Sequence, residues 1–338
     1  MTAQVFSGDL GYGMLKSLIL GDETYHVMPS LIARARPSDG WESGFGGNVN
    51  GFRVTWEGHD FYTGELARLK SKTARGNQSR SRANGPEVLA YLYSTLAVHY
   101  PNGVNGLFIA TGLPVEWMVD QDRYEGEWTG DHNVLINGRE VCWRVIGVRT
   151  GPQGFGAFAD QLLEWKSQNK LGYANKALMK EPAFIADMGT LTFNGFRFEQ
   201  GVWQRDLSGS DELGMRWAIE RVADAINTAY GVRFPDHVVD NIIRAGRATI
   251  NGVETDVSHI AAPILKELAW EQAEFTKHLL GEGIGSIRHF YVAGGGSYKL
   301  FDDYVEFLGR PAVRVFDPQG ANVRGYLKWG VNLARQRG

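Results

Sequence analysis

The sequence predicts an α/β chain of two similarly built halves, and three observations carry that expectation. β-prone runs and helical patterns alternate along 338 residues, more than one core comfortably encloses. The acid-glycine turn Asp9-Leu10-Gly11-Tyr12-Gly13 near the start has a counterpart in Asp187-Met188-Gly189-Thr190-Leu191-Thr192, an offset of 178 residues (187 minus 9). Each turn lies between two β-prone or apolar runs, so each reads as a tight hairpin, and the second half resembles the first with more helix. The expected division is a domain over 1–155, with a small inserted subdomain around 30–85, and a second over 156–338 whose C-terminal helix packs back toward the first.

In the first half, strands are predicted at 4–8, 15–20, 24–29, 52–56 and 60–64, punctuated by glycine. The segment 36–51 carries glycines at 40, 44, 46, 47 and 51 and predicts a mobile surface loop. The stretch 68–82 holds six basic residues and no acidic one, which suits either a solvated loop or an anionic partner. Asn84 and Gly85-Pro86-Glu87 open a helix running to 99, with Val88, Leu89, Leu92 and Leu96 on its apolar face. A strand follows at 106–111, then a hairpin of 134–136 and 140–148 about Asn137-Gly138, residue types that accept positive φ. A helix is predicted over 154–169.

In the second half, strands are expected at 183–186, 190–194 and 196–203, with Asn194-Gly195 read as another turn. Helices are predicted at about 211–230, 235–245, 260–280, 297–308 and 319–336, and strands at 289–293 and 313–316.

Composition restricts the function classes. With 35 basic and 38 acidic side chains, the net charge of −3 disfavours a surface built for direct nucleic-acid binding. The single cysteine, Cys142, allows no internal disulfide or cysteine-based zinc site and fits a cytoplasmic setting. The first residues lack a basic region followed by an apolar stretch, and no run approaches the roughly 18 apolar residues of a spanning helix, so neither export nor membrane insertion is expected. There is no G-x-S-x-G and no G-x-x-x-x-G-K-[ST], which removes the serine-hydrolase and P-loop routes. The eight histidines form no H-x-x-x-H pair, and the ten tryptophans, such as Trp56, Trp143, Trp217 and Trp329, are scattered as packing residues are.

The remaining chemistry lies in the glycine turns. Gly11 and Gly13 allow positive φ and close backbone approach to phosphate oxygens, and Lys16 can add a point charge. Asp187, Gly189, Thr190 and Thr192 repeat the pattern with hydroxyls. Tyr291-Val292-Ala293-Gly294-Gly295-Gly296-Ser297-Tyr298 runs from a strand through three glycines into a helix start, where a base and ribose can lie against bare backbone. Each motif alone is also what an ordinary turn looks like; the ordered set is what carries information.

That set, with Pro29-Ser30, Gly64-Glu65-Leu66-Ala67, Thr111-Gly112-Leu113-Pro114 and Pro152-Gln153, resembles the superfamily that unites actin, heat-shock chaperones and sugar kinases. Within it the chain looks most like actin-like ATPases of the ParM and Alp type. The resemblance spans nearly the whole chain and implies duplicated actin-like (ribonuclease H-like) domains with a nucleotide cleft between them. It also implies that Asp9 and Asp187 hold Mg2+ largely through water and that Gly11, Tyr12, Gly13, Lys16, Gly189, Thr190 and Thr192 contact the phosphates. Gln153 would orient the attacking water, while Gly294, Gly295, Gly296 and Tyr298 would lie against the nucleoside. Glu212 and Arg216 are read either as base and ribose contacts or as a solvated i, i+4 ion pair. Relatives carry a polar side chain where this chain has Met14 and Leu15, which leaves phosphate contacts there to backbone amides.

The function implied by the resemblance is a slow Mg-dependent ATPase that polymerises with ATP and disassembles after hydrolysis, in plasmid or other DNA segregation with a DNA-binding adaptor. ATP and GTP both remain open as the nucleotide. The alternatives are a sugar or small-metabolite kinase on the same fold and a non-polymerising nucleotide switch.

Overall fold

In chain order, the computed structural model contains β1 (Gln4–Leu10), β2 (Met14–Ile19), β3 (His26–Pro29), β4 (Ile32–Arg34), β5 (Arg53–Trp56), β6 (His59–Thr63), α1 (Gly64–Lys70), α2 (Pro86–His99) and β7 (Val104–Leu113). Then come α3 (Gln121–Glu127), β8 (Gly130–Ile136), β9 (Arg139–Pro152), α4 (Phe155–Leu162), β10 (Leu163–Ser167), β11 (Lys170–Tyr173), β12 (Ala183–Met188), β13 (Phe193–Glu199) and β14 (Val202–Asp211). The chain continues with α5 (Met215–Tyr230), α6 (Asp236–Ala245), β15 (Arg247–Ile250), β16 (Val253–Asp256), α7 (Ser258–Leu280), β17 (His289–Ala293), α8 (Ser297–Leu308), β18 (Val313–Arg314) and α9 (Ala321–Gln336). The structure describes residues 4–36, 49–74, 76, 85–167 and 170–336. Most of the predicted 36–51 loop, the 75 and 77–82 part of the basic stretch, and the Asn84 cap fall outside them.

The chain divides into two compact units, Met1–Asn175 with Gly320–Gly338, and Lys176–Gln319. Among the described residues, the first unit holds a nine-stranded sheet in the order β3-β2-β1-β7-β9-β8-β5-β6-β4. β1 pairs antiparallel with β2 and parallel with β7, which in turn pairs parallel with β9. Val141, Trp143 and Val145 of β9 are buried while Cys142, Arg144 and Ile146 between them are exposed, the period of two expected of a sheet with one covered face. α2 is buried along most of its length and fills the main core with Tyr91, Leu92 and Leu96.

The second unit contains a sheet in the order β14-β13-β12-β17-β18. Its pairing senses match those of β3-β2-β1-β7-β9: two antiparallel contacts, then two parallel ones. The repeat sensed from the two turns is therefore a repeat of topology. β12 is buried at every position, as a central strand covered on both faces must be. α5 turns Ala218, Ile219, Val222 and Ile226 inward, and α6 turns Val239, Ile242 and Ile243 inward, each at helical spacing.

Several sequence expectations change. The helix predicted over 154–169 stops at Leu162, because the next residues form the β10–β11 hairpin, which packs Trp165 and Leu171 beside Val323, Leu327 and Val331 of α9. Asn194-Gly195 is no turn: both residues lie inside β13, and a side chain at 195 would meet the Phe184 ring at 2.6 Å, so the glycine there serves packing. The chain reverses instead at Gln200-Gly201, with φ of 51° and 76°. Asn251-Gly252, at 50° and 83°, closes the unforeseen β15–β16 hairpin, as Asn137-Gly138, at 51° and 79°, closes the foreseen β8–β9 hairpin. The predicted start of α5 at 211 moves to Met215, since Asp211 still pairs with Phe193 in the sheet.

α9 completes the first unit by crossing α4 at very close range. A Cβ on Gly325 would fall 1.7 Å from the Gly156 carbonyl oxygen, and one on Gly156 would fall 2.4 Å from that of Asn322. The two backbones touch, and polar groups lock them: Ala157 N–H donates to Asn322 Oδ1 at 3.0 Å, and Asp160 receives Arg324 at 2.9 Å and Lys328 at 2.6 Å.

Candidate functional site

In the first unit, the β1–β2 register places Asp9 opposite Lys16, and the Lys16 ammonium meets the Asp9 carboxylate at 2.8 Å. Asp9 is only 5% exposed, so the pair is largely shielded from water. The glycines of the turn act differently from the expectation. Neither Gly11 nor Gly13 takes positive φ; Gly11 is needed because a Cβ would stand 2.8 Å from the Met14 carbonyl oxygen. Ser30 N–H donates to the Gly13 carbonyl at 2.9 Å and Thr111 Oγ1 to the Gly8 carbonyl at 2.6 Å, fixing the turn to the neighbouring backbone.

Gln153 ends β9. Its N–H donates to Leu113 O at 2.6 Å, and Gly154 at φ 92° turns the chain into α4. Asp9, Tyr12 and Gln153 line one small cavity together with Trp117 and Trp128. Glu125, which no motif marks, fastens the same region: its carboxylate accepts from Thr150 N–H at 2.9 Å, Thr150 Oγ1 at 3.0 Å and Gln121 Nε2 at 2.9 Å, and also from Arg149. Partial burial works against the ionised form of Glu125, but these donors together outweigh it and hold its carboxyl below the usual carboxylate range. Glu125 is a part-buried anchor for the strand that leads to Gln153.

In the second unit, Asp187 stands opposite Asn194, as Asp9 stands opposite Lys16. Asp187 is 4% exposed. Gly189 repeats the Gly11 geometry, with a Cβ 2.8 Å from the Thr192 carbonyl oxygen, to which Gly189 N–H donates at 3.0 Å. The tip carbonyls are used by the start of α5: Met215 N–H donates to Gly189 O at 3.1 Å and Arg216 N–H to Thr190 O at 2.8 Å. Asn194 Nδ2 donates to Thr192 Oγ1 at 3.2 Å. Asn194 was missed as a site residue because the following glycine made it look like a turn.

The three-glycine loop packs against this hairpin. Gly294 has φ 84°, and a Cβ there would lie 2.4 Å from Met188 O and 2.5 Å from Asp187 Oδ1. Gly296 N–H donates to Met188 O at 2.9 Å, and Ser297 Oγ to Gly294 O at 2.7 Å. Gly295 is the open one, its nearest neighbour being Gln319 at 3.8 Å. Tyr298 Oη donates to Asp317 Oδ1 at 3.2 Å.

Within the second unit, then, Asp187, Gly189, Thr190, Thr192, Gly294 and Gly296 converge, with Arg216 joined through its backbone. Glu212 and Arg216 form no ion pair, because α5 begins only at Met215; Arg216 pairs with Glu220 at 2.6 Å, and Glu212 precedes the helix with its N–H on Asp211 Oδ1 at 2.7 Å. Substituting the loop separates packing from ligand contact. Gly294→Ala is expected to destabilise the protein by about 2–4 kcal/mol, since it adds a left-handed alanine to a clash with Asp187. Gly295→Ala leaves the melting temperature unchanged within about 2 °C, and equal melting curves for the two variants would refute this division.

Among the described residues, no group of three or more His, Cys, Asp or Glu side chains is placed to hold a metal. One carboxylate in each hairpin suits a hard cation that keeps most of its own waters, and magnesium is such an ion. No described helix is long and apolar enough to cross a membrane.

Two sheets of one order, each carrying an aspartate beside a glycine turn, define a duplicated fold of the actin-like class. Two family profiles match in succession: actin-like proteins, N-terminal domain, over residues 7–156, and archaeal actin homologue MreB-like, C-terminal, over 185–306. Solved structures of the same fold include the archaeal actin homolog Ta0583 in complex with ADP, at 18% identity and TM-score 0.75, covering 99% of this chain and 100% of that one. A 15-stranded ParM filament from Clostridium botulinum matches at 20% identity and TM-score 0.77, covering 98% and 100%. The apo ParM protein of pSK41 matches at 20% identity and TM-score 0.75, covering 99% of both chains. A search of curated proteins by sequence found no match. The two halves thus match an actin-like N-terminal model and an archaeal actin-homologue C-terminal model in succession, and the fold is the one that ParM and the archaeal actin homologues share.

Proposed function

We propose that this protein binds ATP with Mg2+, hydrolyses it slowly, and assembles into filaments whose lifetime the hydrolysis limits, serving plasmid or other DNA segregation through a DNA-binding adaptor. The observation that carries the reading is the recurrence of one Asp-x-Gly hairpin at the same place in two sheets of the same order. The ADP bound to Ta0583 and the filament formed by the Clostridium botulinum ParM support it by analogy.

In this reading Asp9 and Asp187 hold hydrated magnesium, which when bound neutralises phosphate charge. Lys16, already beside Asp9, supplies a positive charge for the phosphates. The Gly189 amide is used inside its hairpin, so Thr190 and Leu191 offer the backbone donors of that tip. Gln153 carries a neutral amide that donates and accepts hydrogen bonds, so it orients a water without deprotonating it. Slow turnover follows from that chemistry. The walls beside Gly294, Gly295, Gly296 and Tyr298 take the nucleoside.

Light scattering and electron microscopy with ATP and Mg2+, paired with phosphate release, test the proposal. Filaments that form with ATP and dissolve as phosphate appears support it. Soluble protein that phosphorylates a sugar or other metabolite overturns it, as does a protein that neither assembles nor releases phosphate. Gln153→Ala is expected to slow phosphate release about a hundredfold or more while ADP affinity, read by calorimetry, stays within about threefold. Loss of ADP affinity in that variant removes Gln153 from its water-orienting role.

A further inference from the structure

The cavity between Asp9 and Gln153 has a feature that the nucleotide reading does not use. Its wall is mostly apolar, with Tyr12, Trp117, Tyr124 and Trp128 as its aromatic members, and Asp9 and Gln153 line it as well. Its volume is about 30 Å3. A buried water needs roughly 10–15 Å3 measured this way, so the space suits about two waters and no larger ligand.

Trp128 is 1% exposed, and its buried Nε1–H meets no acceptor among the described residues. An indole N–H removed from water without an acceptor is unfavourable, and natural interiors almost always provide one. The backbone of Trp128 is tied down and its ring is packed. Trp128 N–H donates to Tyr124 O at 3.1 Å at the end of α3, the two rings pack edge to face at 5.9 Å, and Trp128 O lies 3.1 Å from His132 Nε2, whose ring also bonds Tyr93. The indole is held in the wall of a space that contains the right volume and two further polar groups for a bridging water.

We propose that this cavity holds ordered water on Trp128 Nε1–H, shared with Asp9 and Gln153, and that Trp128 is a positioning residue for the water Gln153 orients. The positioning role rests on the hydrolytic reading above; the hydration does not. In the reaction, the water oxygen bonds to the γ-phosphorus as the bond from that phosphorus to the β,γ-bridging oxygen breaks, and ADP leaves with the electron pair. One water proton remains on the inorganic phosphate and the other passes to solvent. The Trp128 N–H loses no proton in this step: it holds a water whose orientation reaches the attacking one through Gln153.

Trp128→Phe tests this by keeping an aromatic wall and deleting the donor. The expected result is a fall in kcat for phosphate release of about tenfold, with KM for ATP and affinity for ADP unchanged in a variant that still folds. A crystal structure at high resolution supplies the second measurement: ordered density within hydrogen-bond distance of Trp128 Nε1 in the wild type, lost or moved in the variant. A dry wild-type cavity overturns the proposal. Wild-type kcat in Trp128→Phe overturns the positioning role even where water is seen. If the wild type releases no phosphate, the hydrolytic reading fails and the positioning role with it, while the density alone still decides whether the cavity is hydrated.

Discussion

Gly325→Ala is expected to cost about 3–5 kcal/mol and to lower the melting temperature by roughly 10 °C. The new Cβ would sit 1.7 Å from Gly156 O and 2.8 Å from Asp160 N, both rigid backbone atoms, so α9 must move away from α4. That movement also stretches the bonds from Ala157 to Asn322 and from Arg324 and Lys328 to Asp160. Limited proteolysis should then cut near α9 in the variant before it cuts the wild type. Gly126→Ala is the matched control: Gly126 lies in α3 with nothing within 4 Å of an added Cβ, so the same change is neutral or stabilising by up to about 1 kcal/mol. Coincident melting curves for Gly325→Ala and the wild type would contradict the close helix crossing.

Asp187→Ala is expected to abolish measurable hydrolysis, a fall of at least about a hundredfold, through loss of the carboxylate assigned to magnesium. The isosteric Asp187→Asn separates charge from packing. Asp187 is buried in the central strand with Gly294 against its Oδ1, so alanine alone would leave room for the loop to shift, whereas asparagine fills the same space. Asn should fold with a melting temperature within about 3 °C of the wild type and still release phosphate at least a hundredfold more slowly. Chelating magnesium should weaken ADP binding to the wild type and change little in the variant. Phosphate release near the wild-type rate in Asp187→Asn rules out the assigned role.

The site was legible in the sequence where its geometry is local. A hairpin fixes its own register, so Asp9 and Lys16, seven residues apart, belong to one local feature, and they meet directly. The positive-φ pairs Asn137-Gly138 and Asn251-Gly252 show how reliable that turn chemistry is, and Asn194-Gly195 shows how it misleads. There the same dipeptide lies in a strand because Phe184 needs the space above residue 195. Local propensity cannot see a ring eleven residues away in sequence and across the sheet. The 154–169 helix failed for a similar reason: Trp165 and Leu171 gain an apolar surface on α9 that only the folded chain provides.

By itself the sequence determined the two acid-glycine hairpins, the strands that flank them and the α/β class, because each depends on neighbours a few residues apart and on the φ, ψ limits of those residues. The tertiary structure alone decided that Gly156 and Gly325 let two helix backbones touch and that Gly294 rests on Asp187. It likewise placed Glu125 on Thr150 and Trp128 in the cavity wall beside Gln153. These contacts join positions from about 25 to 170 residues apart, and close packing between such distant segments leaves no periodic or compositional trace along the chain.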